Sequence, residues 1–196
     1  MYSRYETAIK NYIFQIFQFS GLLWVHIAIF ETTLRVSVNE ALAKIYGRKD
    51  WWETKGLLRR RELEKINFYA RFSSLRASRD THFINQSTLG FWASLFTRNY
   101  HKRIWLPVVE EMPSLKKVER RAFLKKLNRI KSLRDSIAHH VPILERNVMK
   151  DLAYLHELTL LLSPIMSEEI QKSSAEIRVL YRNLTRNKNL GSGGGI

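Results

Sequence analysis

The strongest constraint on this chain is how little interrupts it: it has four prolines, and four of its eight glycines crowd into the closing GSGGGI. Proline removes a backbone donor and glycine costs entropy, so their scarcity leaves long helices permitted nearly everywhere, and an all-α class follows. With 196 residues, 45% of them hydrophobic, there is enough apolar material for one substantial core. Residues 1–190 are therefore expected to form a single helical domain, and 191–196, with linker composition, a flexible Gly/Ser tail.

The apolar spacing agrees. Leu23, Ile27, Phe30, Leu34, Val38, Ala41 and Ile45 recur at steps of three and four, which predicts a helix from Leu22 to Tyr46 closed by Gly47. The segment before Gly21 is either an earlier helix or the start of the same one. Residues 57–79 are helical by propensity and dense in base, with Arg59, Arg60, Arg61 and Lys65. Ser87 suits the cap of the next helix, whose Phe91, Trp92, Leu95, Phe96, Ile104 and Trp105 read as a packed face rather than a base-stacking platform. Further helices are expected over about 117–140, stopped by Pro142, over about 147–162, and after Pro164, the last with a basic end at Arg178, Arg182 and Arg186.

Thirty-three Lys and Arg against 18 Asp and Glu leave a formal charge of +15. Such an excess calls for a polyanionic partner, and RNA, DNA and an anionic membrane all qualify on charge alone. The chain has no cysteine, which excludes disulfides, Cys-ligated zinc and a thiol nucleophile and fits the cytoplasm. His26, His82, His101 and His156 lack the spacing of metal ligands and are assigned to structure or surface, so neither metal nor cofactor is expected. Residues 12–30 carry no formal charge and raise the question of a membrane span. Gln15, Gln18, Ser20 and His26 interrupt the run, and Glu31 and Arg35 continue the same helical face, which suits a helix buried in protein better than one in lipid.

Chemistry concentrates where the helix before Pro142 ends. Phe123, Leu127, Ile130, Leu133 and Ile137 define its buried stripe, and Arg134 falls inside it. An arginine aimed at a core either pairs with a carboxylate, for which Glu31 is the candidate, or lines a polar cleft. His139 lies about 140° around the helix from Arg134, so the two serve one phosphate only if the helix end unwinds or a second copy supplies its own pair across a two-fold axis. Asp135 is one turn before His139, placed to hydrogen-bond its imidazole. The negative end of the helix dipole favours a protonated ring there.

The run Leu133-Arg134-Asp135-Ser136-Ile137-Ala138-His139-His140-Val141-Pro142 resembles the Abi-like branch of the HEPN superfamily, whose motif is an arginine, a polar residue, a short gap and a histidine. Asp135 stands where this branch more often has asparagine. Glu31-Thr32-Thr33-Leu34-Arg35, Trp51-Trp52, Gly90-Phe91-Trp92, Leu95-Phe96, Tyr100 and Trp105 are similar to the family's other elements, and together the likeness covers residues 12–166.

The resemblance implies a HEPN-type helical bundle with additional helices, forming a homodimer whose two motifs face a shared basic cleft. Members with intact motifs are metal-independent endoribonucleases, many acting as toxins or abortive-infection effectors with an antitoxin or defence-system partner, whereas some relatives only bind RNA or regulate. Arg134 and His139 are then the catalytic pair, with His139 as general base or acid and Arg134 stabilising charge on the phosphate. Glu31, Arg35, Asp135 and His140 are supporting, with His140 either a second functional imidazole or a helix-ending residue. Val141 stands where one subgroup of HEPN toxins carries a tyrosine silenced by nucleotide addition. A non-catalytic RNA-binding protein and a peripheral membrane protein are the alternatives.

Overall fold

The computed structural model describes residues 4–71 and 79–191, and among these it contains eight α-helices and no strand. They are α1 (Arg4–Tyr46), α2 (Arg60–Arg71), α3 (Arg79–Gln86), α4 (Leu89–Ser94), α5 (Leu106–Glu111), α6 (Arg120–Ala138), α7 (Val148–Leu162) and α8 (Pro164–Gly191). Residues 192–196 of the expected tail and Arg76 of the expected basic helix lie outside the described residues, and Gly191 is the last residue of α8.

Gly21 does not divide the first helix. α1 runs unbroken for 43 residues, about 64 Å at 1.5 Å per residue. Its apolar stripe, Phe19, Leu23, Ile27, Phe30, Leu34 and Val38, is at most 1% exposed and forms the spine on which α8, α7, α5, α6 and α4 pack. The helix ends as the sequence predicts: Gly47 sits at φ +65°, its amide reaches the Lys44 carbonyl, and the Arg48 amide reaches back to Ala43.

The expectation of a helix buried in protein holds for only part of α1. By length and composition this helix is able to cross a membrane. From Phe19 onward its stripe is buried, yet Ile9, Ile13, Phe14 and Phe17 remain 43–62% exposed. Tyr12 and Ile16 on the other side of that end still pack against the core.

Two further expectations are corrected. The helix expected over 57–79 starts only at Arg60, because Leu57 and Leu58 turn inward as a loop and are 3% and 7% exposed. Thr88, not Ser87, caps α4: its hydroxyl accepts the Phe91 amide, while the Ser87 hydroxyl receives the Trp92 indole N–H at 2.8 Å. The aromatic residues are core, as expected. Trp52, Phe83, Phe91 and Trp92 meet largely edge to face, and Phe96 and Trp105 close on Phe123 of α6. Their polar tips are satisfied by Asn39 for Trp51 and by Glu62 for Tyr100.

Candidate functional site

α6 is amphipathic by design of its stripe: Phe123, Leu127, Ile130 and Leu133 are fully buried and Ile137 nearly so. The helix stops at Ala138 by the same device that ends α1. His140 occupies the left-handed position at φ +54°, its amide donates to the Ile137 carbonyl, and the Val141 amide reaches back to Ser136 at 2.9 Å. Glycine usually fills this position, because a side chain there crowds the backbone. His140 is the described chain's one non-glycine residue with positive φ. Of the two readings of His140, the helix-ending one is thus observed, while its exposed ring also meets Phe17 of α1 edge to face, with ring centres 6.2 Å apart.

Arg134 lies on the flank of the buried stripe, with 34% of its side chain exposed. Glu31 is not its partner. The Glu31 carboxylate instead accepts from Arg35 at 3.2 Å and from the Leu89 amide at 3.0 Å, and Arg35 also donates to the Asn85 carbonyl. Glu31 thereby fastens the start of α4 to α1, and Arg35 the end of α3. The reason is one of reach: Arg134 packs over the Trp24 ring, 5.7 Å from its centre, and Glu31 lies two turns, about 10 Å, farther along α1. The hydrogen bond Arg134 does make goes to Asp135, at 3.3 Å, and its buried Nε–H has no acceptor among the described residues.

Asp135 does not orient His139. Its carboxylate turns back one helical turn to Lys131, at 2.7 Å, and the Lys131 hydrogen bond, with Arg134 adding to it, holds the carboxyl below its ordinary range. An ammonium outcompetes an imidazole for that carboxylate because the bond is charge-assisted. Asp135 reaches His139 only through the backbone, where its carbonyl accepts the His139 amide at 3.1 Å. The exposed His139 imidazole has no hydrogen-bond partner among the described residues.

Two concavities meet here. A polar one of about 510 Å³ is lined by Asn128, Lys131, Ser132, Asp135, Ser136 and His139. An apolar one of about 580 Å³ runs between α1 and the end of α6, with Phe17, Trp24, Ile137, His140 and Pro142 on its walls, and Val141 borders both. Arg134 lies between them, bonded to Asp135 of the polar one and packed over Trp24 of the apolar one. The angular separation of Arg134 and His139 therefore persists in the fold, and the helix end does not unwind to bring them to one face.

A residue set that the spacing did not single out fixes the loop after His140. Asp151 of α7 is fully buried and pairs with Arg129 of α6 and with Arg146, the latter at 3.3 Å. Arg146 also donates to the Ser132 hydroxyl at 3.0 Å and to the Ser136 hydroxyl at 3.4 Å, which ties the loop to the polar concavity. The signal was present: Asp151 stands beside Leu152 on the buried face that Val148 and Leu155 define, as Arg134 stands beside Leu133.

Comparison with protein-family models, with curated proteins and with solved structures returned no match for this chain.

Proposed function

We propose that this protein is a metal-independent endoribonuclease of the HEPN type that acts as a toxin or abortive-infection effector in the cytoplasm, in a complex of two copies. The observation that carries the reading is the state of Arg134. It is a half-buried guanidinium with five N–H donors, it gives only one to a protein acceptor, its buried Nε–H is unpaired, and it stands five residues from an exposed, unpartnered histidine at a helix end. An unsatisfied buried donor is costly unless a ligand oxygen arrives to use it, and a phosphate supplies such oxygens.

The chemistry is RNA transesterification. The ribose 2′-oxygen bonds to phosphorus as the P–O5′ bond breaks, the 2′ proton passes to a base, and the leaving 5′-oxygen takes up a proton. His139 handles one of these protons, a role worth about 10² to 10⁴ in rate, and Arg134 stabilises the charge on the phosphorane. DNA lacks the attacking hydroxyl.

The second copy follows from the division of the site. In one chain His139 lines the polar concavity while the Arg134 guanidinium lies between Asp135 of that concavity and Trp24 of the apolar one, and beside them is an exposed apolar surface of Ile13, Phe14, Phe17 and Val141. A second copy packed over it buries that surface and brings another Arg134–His139 pair to the same cleft.

The test is incubation of purified protein with a defined RNA in excess EDTA, followed by end-group analysis. The expected products carry 2′,3′-cyclic phosphate ends, an all-deoxy strand of the same sequence survives, and His139→Ala is inactive with an unchanged melting temperature. Wild-type cleavage by His139→Ala would overturn the mechanism. Binding of RNA without cleavage by the wild type would leave a non-catalytic RNA-binding protein, and association with vesicles in place of RNA would favour the membrane reading.

A further inference from the structure

At the other end of α6, about 28 Å from His139 along a 19-residue helix, lies a second concentration of positive charge. Arg98, Asn99, His101, Lys102, Arg103 and Arg120 line a concavity of about 580 Å³, and no carboxylate is among them. None of the four Arg and Lys side chains forms an ion pair among the described residues. Two are nonetheless held in place: Arg120 donates to the Phe96 carbonyl at 2.8 Å, and Arg103 donates to the Gly56 carbonyl.

The backbone explains why these side chains converge. Pro107 has no N–H, so the Arg103 carbonyl four residues earlier lacks its α-helical donor and accepts the Tyr46 hydroxyl at 2.6 Å instead. The chain widens here into a π-helical turn, His101–Trp105, closed by the Leu106 amide on the His101 carbonyl. That turn sets Lys102 and Arg103 beside Arg98 of the preceding 3-10 turn and Arg120 at the positive end of α6. The His101 Nδ1 is buried there without a partner among the described residues. Convergent like charges repel, and a bound anion with several acceptor oxygens removes the repulsion while using the fork-shaped guanidinium donors.

We propose that this concavity binds adjacent backbone phosphates of the same RNA strand that is cut at the far end of α6, as a distal subsite that tracks the strand. The proposal rests on the RNA reading above, and it makes the substrate a strand long enough to lie along the helix. A phosphate group is the shared chemistry of an RNA backbone and of a free phosphate compound, so the experiment separates the two.

The full chain carrying His139→Ala, which prevents cutting, is titrated with a single-stranded RNA of about four nucleotides and one of about thirty. The double substitution Arg98→Ala, Lys102→Ala alters two exposed side chains that hold nothing else in place. It is expected to weaken binding of the long strand at least tenfold and to reduce the salt slope by about 1.4, two contacts at 0.7 each, leaving the short strand unaffected. Arg178→Ala, Arg182→Ala on α8 removes the same charge elsewhere and is expected to retain tighter long-strand binding. Equal losses in the two double variants, or unchanged long-strand binding in the first, would overturn the subsite. Tight binding of inorganic phosphate or ATP that the Arg98 and Lys102 substitutions abolish, with RNA binding untouched, would overturn the RNA assignment in favour of a small phosphate compound. If no RNA binds at all, long-chain polyphosphate keeps the two readings apart: binding lost on Arg98→Ala, Lys102→Ala preserves the anion site while the ribonuclease reading fails, and binding that persists overturns the site too.

Discussion

His140 holds a conformation that glycine adopts without cost, and the parallel with Gly47 makes the substitution informative. His140→Gly is expected to raise stability by about 1 kcal/mol, read as a higher melting temperature. If the ring serves only to end the helix, cleavage is retained; a loss of cleavage in this stabilised variant marks it as a substrate contact. Asp151 predicts the opposite behaviour. It is fully buried between two arginines, so Asp151→Asn leaves their charges uncompensated and is expected to cost about 3 kcal/mol by denaturant unfolding. Asp135 carries the pH dependence. Its carboxyl is held below the ordinary value, so the pairing with Lys131 is fully present above about pH 4 and is lost as pH falls through the lowered folded-state value. A carboxyl NMR titration checks this, and Lys131→Ala is expected to move the midpoint upward.

At the scale of elements, the polar concavity depends on how α4 meets α6. Gly90 lets them approach: a Cβ built there comes within 3.2 Å of the Lys131 Cε, the last methylene before the ammonium that binds Asp135. Gly90→Ala is therefore expected to displace Lys131, raise the Asp135 titration midpoint and lower cleavage, while costing little stability because the displaced group is the end of a flexible side chain. The same logic gives Glu31 and Arg35 their part. Arg35 holds the end of α3 and Glu31 the start of α4 against α1, and neither touches Arg134.

For the whole molecule, the association of two copies proposed above rests on the exposed apolar surface of α1. Ile13→Glu with Phe17→Glu, at positions 47% and 55% exposed, is expected to yield a folded monomer by analytical ultracentrifugation with cleavage reduced to background. A chain that is already monomeric and active at micromolar concentration would remove the need for the second copy. The +15 charge further predicts RNA affinity that falls steeply and log-linearly with salt.

What the sequence determined by itself is what local physics dictates. The scarcity of breakers and the three-and-four spacing specified the helices, the glycine stop of α1 and the residues of the core, because burial of an apolar stripe follows from helical geometry alone. The angular distance between Arg134 and His139 was legible for the same reason. Spacing allows pairs one turn apart, such as Arg35 with Glu31 and Lys131 with Asp135, but the choice among competing partners was decided by the fold. Whether Arg134 meets Glu31 depends on where α1 lies along α6, which spacing does not encode, whereas Lys131 and His139 stand equally one turn from Asp135 and the charged ammonium takes it. Asp151 shows the limit most plainly: its place on an apolar face was readable, but the arginines that keep it there come from α6 and from the loop beyond His140, and only packing brings them together.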